Sequence, residues 1–280
     1  MAVQDATTTS TRPPAPPRTW TTARILGNGL TGLWIALGAF LLWSLTADFD
    51  SGTFGRYGPR MLQGFWLTVK IVVISVALGS MLALPVALAR MSSNPLLKVP
   101  SIAFIEFFRG TPLLAQLFLA YYGAGQMRAE LESIGLWWFF RDAFNCCMLS
   151  FTLNSAAYQA EILRGAISAV PTGQSEAAHS MGLSRTVTFV KIILPQALIT
   201  ALRPLGNEII FMIKSSAIAS IVTILDLMGE TKLAFSRSYN FDVYIWAAIM
   251  YLIMVEALRV TWDRFERRLT RHLRMPNQDD

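Results

Sequence analysis

Between Arg24 and Asp48, between Lys70 and Arg90, and between Asp142 and Glu161 the sequence carries no charged residue. Uncharged apolar stretches of about twenty residues let a helix cross the ~30 Å hydrocarbon layer of a bilayer. Inside that layer every backbone polar group must be paired within the protein, so only helices and closed barrels span it. Stretches of this length select helices. Composition agrees: 15% of the 280 residues are charged and 53% are hydrophobic, whereas a soluble domain carries about 25% charged residues. The same figures exclude disordered and collagen-like chains. The fold class expected is all-α, a polytopic membrane helical bundle.

Cys146 and Cys147 are neighbours, so they supply no disulfide framework and read as two inert thiols in an apolar stretch. Two histidines, His179 and His272, and no Cys/His cluster give no support to a metal site.

Six segments are expected to span: Ile25–Ala47, Leu62–Ala89, Ser101–Ala124, Ala143–Ala166, Ala197–Leu225 and Phe241–Trp262. A proline-rich tail, Arg12 to Arg18, precedes the first and cannot form a packed core. That first run is too long for a signal-peptide apolar region and lacks a small-x-small cleavage pattern, so it reads as a retained anchor. An even number of spans puts both termini on one side. The N-terminal tail, the loop from Arg90 to Lys98, the stretch from Arg164 to Lys191 and the C-terminal end from Arg259 hold fourteen Lys and Arg, against six in loops 48–60, 125–142 and 226–242. The positive-inside rule then places both termini in the cytoplasm. The isoelectric point near 9.6 needs no nucleic acid as partner. The basic stretch Arg264–Arg274 follows a span directly, where anionic headgroups lie.

The longest connection on the basic side runs from Arg164 to Gln196. Gln174–Met181 is built of good helix formers, with Glu176 near the positive end of the helix dipole. Gly182 supplies a stop that needs a positive φ or a close backbone approach. Leu183, Val187, Val190 and Leu194 then follow at i, i+4, i+7 and i+11, the spacing of a second, amphipathic helix on the membrane surface. Pro195 is expected to break that helix before the next span. Two readings of this helix–turn–helix knob stay open on physics alone: an interfacial hairpin that connects two spans, or an element that passes motion from a cytoplasmic partner.

The spacing Glu176-Ala177-Ala178, three residues, Gly182, nine residues, then Ile192, Leu194 and Pro195 resembles the coupling motif of permease subunits in binding-protein-dependent ABC importers. Phe108-Arg109-Gly110-Thr111-Pro112-Leu113-Leu114, the run Ala157 to Ile167, Val170-Pro171-x-Gly173-Gln174, Pro195-Gln196-Ala197-Leu198 and Asn207…Lys214-Ser215-Ser216 resemble the polar amino-acid and opine group of those permeases. Two departures stand out. After Lys214 that group usually shows an acidic or amide residue, then hydroxyls and Leu, where this chain reads Ser215-Ser216-Ala217-Ile218. The group's core commonly has five spans, so Ile25–Ala47 looks like an addition.

The resemblance implies a type I ABC importer permease core over residues 60–265, with a coupling loop over 168–195. A disordered cytoplasmic tail (1–24), an extra transmembrane helix (25–47) and a basic cytoplasmic tail (266–280) flank it. It further implies import of polar amino acids or opine-like solutes across a bacterial inner membrane. The partners implied are two ATP-binding subunits, a second copy or a similar permease, and an extracytoplasmic solute-binding protein. The chain has no Gly-x-x-x-x-Gly-Lys-Ser/Thr and no Gly-Lys pair, so ATP and Mg are expected on the partner and no catalytic residue or cofactor on this chain. Glu176, Ala177, Ala178, Gly182, Ile192, Leu194 and Pro195 are the expected ATPase-coupling residues.

Charges at membrane depth are functional candidates by default. Glu106 and Arg109, at i and i+3, are expected to pair on one face. Asn154, Glu208 and Lys214 are the expected substrate-path residues. Trp137-Trp138-Phe139-Phe140 reads as an outer interfacial helix. The rival class is an ion-coupled amino-acid carrier acting without an ATPase, which inverted repeats would favour. No such internal symmetry is visible between residues 25–150 and 151–270, nor is the nucleophile–base set a membrane enzyme would need.

Overall fold

The computed structural model describes residues 21–47 and 50–271. The proline-rich tail with Arg12 and Arg18, and the last residues with His272 and Arg274, lie outside the described residues. All regular structure among the described residues is helical. Two compact units divide the chain at Asp50. Among its described residues the first contains one helix, α1 (Thr22–Ala47), whose Trp34, Ile35 and Phe40 are exposed.

The second unit begins with α2 (Ser51–Met91), 41 residues long. At 1.5 Å per residue it extends about 60 Å, well beyond a ~30 Å hydrocarbon layer. Residues 51–60, expected as outer loop, are therefore the first turns of this helix. α3 (Pro95–Gly110) starts on Asn94, whose side chain accepts from the Leu96 N–H at 3.0 Å, with Pro95 in the first turn where a missing donor is harmless.

The segment Ser101–Ala124, expected as one span, is two helices. Pro112 forces Thr111 into extended backbone, φ −115° and ψ 146°, and the axes on either side differ by 107°. α4 (Leu113–Phe118) follows, then a π-helical turn (Leu119–Gly123) and α5 (Ala124–Gln126). The short helices α6 (Arg128–Ser133) and α7 (Trp137–Phe140) lie before α8, and Trp138 of α7 is 63% exposed.

α8 (Ala143–Ser168), capped by Asp142, leads into α9 (Thr172–Ser180) and α10 (Arg185–Thr188). A π-helical turn (Phe189–Ile193) joins α10 to α11 (Leu194–Ser215), which tightens to a 3-10 helix (Ser216–Val222). Asp226 caps α12 (Leu227–Ser238), and α13 (Asp242–Leu269) closes the chain. By length and composition α2, the continuous stretch Arg185–Val222 and α13 are each able to cross a membrane, and the bent pair from Pro95 to Gln126 makes a fourth. α8 has the length but carries Asn154, Ser155 and Gln159 among its buried residues. A helix enclosed by its neighbours has no need of a uniformly apolar surface.

Pro195 breaks nothing. It falls in the first turn of α11, directly after the π-turn, and Gln196 Nε2 donates to the Ile192 carbonyl at 2.8 Å. The wider π-turn accommodates the proline ring and its missing donor.

Small residues set the packing. A Cβ on Gly79 of α2 would lie 3.1 Å from the Ala156 nitrogen and the Ser155 Cβ of α8. Ala83, Ala87, Ile105, Ala160, Ala197 and Ala201 form a buried cluster where α2, α3, α8 and α11 meet. Lipid offers no hydrophobic force between helices, so close van der Waals approach over small side chains holds such a bundle together. Gly206 of α11 performs the same service for the Trp262 indole of α13, whose Nε1 donates to the Leu202 carbonyl at 2.9 Å.

Candidate functional site

The α9–α10 hairpin closes on a complete C-terminal motif. Gly182 N–H donates to the His179 carbonyl at 2.9 Å and Leu183 N–H to the Ala178 carbonyl at 3.1 Å, with Gly182 at φ +77°. These are the paired bonds that end a helix through a left-handed residue. No atom lies within 4 Å of a Cβ at Gly182, so its conformation, not crowding, demands glycine. Ser184 then starts α10 by accepting from the Val187 N–H at 3.4 Å.

Within α9 the three motif residues divide by face. Ala178 is fully buried, whereas Glu176 and Ala177 are exposed. Ile192 and Leu194 are half-buried in the following stretch, and Pro195 is exposed. The amphipathic face expected over Leu183–Leu194 is displaced: Val187 and Val190 are exposed, while Thr188 is buried and Phe189 half-buried. Two features explain the difference: Leu183 lies before the Ser184 cap and so outside α10, and from Phe189 on the wider i→i+5 turn shifts the phase that a 3.6-residue period assumes. Met181, Val187 and Val190 therefore form an uncovered apolar rim on the hairpin. A cavity of about 560 Å³, lined by Leu88, Met91, Pro171, Ser175, Phe189 and Ile193 among others, separates the hairpin from the end of α2.

Charges near this end pair differently from the sequence expectation. Glu106 lies 3.5 Å from Arg90 of α2, not against Arg109. Arg109 instead sits over the Tyr158 ring, 5.5 Å from its centroid. The i, i+3 spacing allowed a pair within α3, but tertiary packing brought each side chain a partner from another helix. Arg90 also bridges to Glu161 of α8 at 3.1 Å, and Glu161 holds Arg164 at 2.7 Å.

A polar row crosses the bundle between α2, α8 and α11. Ser80 Oγ donates to Gln159 Oε1 at 2.6 Å, Gln159 Nε2 to Ser155 Oγ at 2.9 Å, and Ser155 Oγ to Glu208 Oε1 at 3.4 Å. Glu208 is 6% exposed. Asn154, adjacent in sequence, joins another network: its Nδ2 donates to Gln116 Oε1 and to the Phe108 carbonyl, each at 3.0 Å. Gln116 Nε2 in turn donates to the carbonyls of Phe108 and Thr111. Asn154 thus braces the bend at Thr111-Pro112. Lys214 borders a separate groove with Ala217, Met228 and Tyr251. The three residues expected on one path occupy three settings.

Sequence reasoning passed over Gln116, Ser155, Gln159, Arg90 and Glu161. Ser155 and Gln159 stand i, i+4 in an uncharged stretch, and that spacing was the available signal. Among the described residues no group of three His, Cys, Asp or Glu side chains is placed to hold a metal.

Known proteins share this arrangement. Residues 75–275 match the family described as binding-protein-dependent transport system inner membrane component. The octopine transport system permease protein OccM of Rhizobium radiobacter is 42% identical over 207 residues, 74% of this chain and 84% of that protein. The nopaline transport system permease protein NocM of Agrobacterium fabrum is 39% identical over 197 residues, covering 70% and 82%. The histidine/lysine/arginine/ornithine transport system permease protein HisM of Escherichia coli is 38% identical over 212 residues, covering 75% and 89%. A crystal structure of an amino acid ABC transporter with histidines superposes at a TM-score of 0.70 and 36% identity, over 79% of this chain and 99% of that one. An inward-facing MetNI methionine ABC transporter, 22% identical with a TM-score of 0.63 over 75% of this chain and 96% of that one, shares the fold. The chain therefore belongs to the family of binding-protein-dependent transport system inner membrane components.

Proposed function

We propose that this chain is the permease subunit of an ABC importer for polar amino acids or opine-like solutes, and that the α9–α10 hairpin is where a partner ATPase seats. The hairpin supports this reading most directly: a rigid stop at Gly182 presents Glu176 and Ala177 outward beside the apolar rim of Met181, Val187 and Val190. Ala177 is small enough for close approach, and Glu176 adds one charge at the edge. Relatives named for octopine, nopaline and basic amino acids support the solute class.

In this reading two ATP-binding subunits hold ATP and Mg. The permease pairs with itself or a homologue, and an extracytoplasmic binding protein delivers solute to the side opposite the hairpin. The reading places both termini on the cytoplasmic side of a bacterial inner membrane, which the excess of Lys and Arg in the stretches 90–98 and 164–191 supports. Glu208 and Lys214 supply charge along the path, and Asn154 shapes it through the bend. A carrier working without an ATPase has no use for an outward-facing coupling motif, and membership in a binding-protein-dependent family argues against it.

The test is co-purification followed by ATPase assay of the assembled complex in lipid, across a panel of basic, acidic and amide amino acids and opines. The expected result is a co-purifying ATPase whose turnover rises with one solute class plus binding protein. Uptake by the permease alone, driven by an ion gradient, would overturn the reading.

A further inference from the structure

One carboxylate ties the helices together near the hairpin. Glu161 of α8 accepts from Arg164 Nη2 at 2.7 Å and Nε at 3.0 Å, and faces Arg90 Nη1 at 3.1 Å. Both terminal nitrogens of Arg90 lie 3.5 Å from Glu106 Oε1 of α3. From the last turn of α2, then, one guanidinium holds carboxylates on two other helices.

Its surroundings make that grip consequential. Arg90 and Glu161 side chains are each 19% exposed, so the pair is shielded from water, and Glu161 keeps its two bonds from Arg164 when Arg90 is replaced. A planar fork engages two carboxylates at once with a geometry that a lysine ammonium does not fix. Phe189 and Ile193, just after the hairpin, pack only half-buried against the cluster of Ala83, Ala87 and Ala160, beside the cavity of about 560 Å³. By contrast, α8 continues unbroken from Glu161 to Ser168 and turns into α9 at Thr172.

We infer that Arg90 is a positioning residue that ties α3 to the packed pair α2 and α8, so that displacement of the hairpin reaches α3 through Glu161, Arg90 and Glu106. This rests on the reading that the hairpin receives the ATPase. Movement of α9 pulls the end of α8, α2 moves with it over their small-residue seam, and the contact of Arg90 to Glu106 engages α3.

The test uses the full complex of permease, ATPase and binding protein in lipid, with the ratio of solute-stimulated to basal ATPase as readout. In Arg90→Gln the ratio is expected to fall about five- to tenfold, the ordinary range of coupling between two sites. ATPase co-purification and thermal midpoint should stay at parental values. Arg90→Lys should recover part of the ratio, and Arg90→Gln with Glu161→Gln should be no worse than the more affected single variant. An unchanged ratio in Arg90→Gln, alongside a lost ratio in Gly182→Asp, overturns the role of Arg90 and leaves the hairpin reading standing. An unchanged ratio in both overturns the hairpin reading and this inference with it. Should Arg90→Gln fail to assemble, Glu106→Gln, at a side chain 63% exposed, carries the test. A lowered ratio there supports the link to α3 and an unchanged one overturns it.

Discussion

Thr68 and Leu227, 159 residues apart, are joined by one hydrogen bond: the Leu227 N–H donates to Thr68 Oγ1 at 3.1 Å, with both residues fully buried. The donor opens α12, so it has no partner within its own helix. One turn earlier on α2, a Cβ at Gly64 would come within 2.8 Å of the Asp226 carbonyl oxygen. Glycine lets the strand of chain entering α12 lie on α2, and threonine fixes it there. Thr68→Val is expected to destabilise the protein by about 1–3 kcal/mol by stranding that N–H. Gly64→Ala should cost a similar ~1–3 kcal/mol through overpacking. Thermal unfolding of the protein in detergent or lipid, monitored by intrinsic tryptophan fluorescence, checks both.

Gly182 yields a prediction that separates shape from surface. Its left-handed backbone disfavours Ala by about 1–2 kcal/mol, whereas Asn and Asp tolerate that region. Gly182→Asn should therefore retain coupled uptake, and Gly182→Asp should reach the membrane yet uncouple ATP hydrolysis from uptake by placing a charge on the docking face. Membrane yield, uptake and ATPase rate in parallel provide the check. Normal solute-stimulated transport in Gly182→Asp would refute the docking role.

Asn154→Leu removes the amide that steadies the bend at Thr111-Pro112, leaving Gln116 Oε1 without a donor while the Phe108 carbonyl keeps only the bond from Gln116 Nε2. A loss of about 1–3 kcal/mol is expected from one unsatisfied buried acceptor. Protease cleavage between α3 and α4 should become faster in the variant, and unaltered proteolysis and melting would refute the bracing role.

Glu208→Gln keeps an acceptor for Ser155 while removing the charge. We expect assembly and stability to persist while solute-stimulated ATPase drops roughly tenfold, because an intramembrane charge of this kind serves the path more than the fold. Lys214→Gln should act in the same direction without adding to instability. Unchanged stimulation in both variants would exclude these residues from the path.

The reading from sequence succeeded where chemistry is local. Gly182 had to end a helix, and it does so with a left-handed backbone. Trp137–Phe140 reads as one short helix and is one. It failed where partners come from elsewhere in the chain. Glu106 offered Arg109 at i+3, yet its salt bridge is to Arg90, sixteen residues back and on another helix. The face of Leu183–Leu194 was misplaced because periodicity arguments carry a constant phase, and nothing in Phe189–Ile193 announces a π-turn. The bend after Gly110 was half legible: Pro112 signalled a break, but membrane helices also run on through prolines, as α2 does at Pro59 and Pro85. What distinguishes the two cases is Gln116 with Asn154, a pair that only the folded chain assembles.

The contact of Gly79 with Ala156 restricts how this protein is able to change shape. With no side chain between the two backbones, and Ala83, Ala87 and Ala160 continuing the seam, α2 and α8 have no slack along which to scissor apart. Any cycle of opening must turn the pair as a single rigid beam, so its hinges belong at the ends, among the turns that flank these two helices.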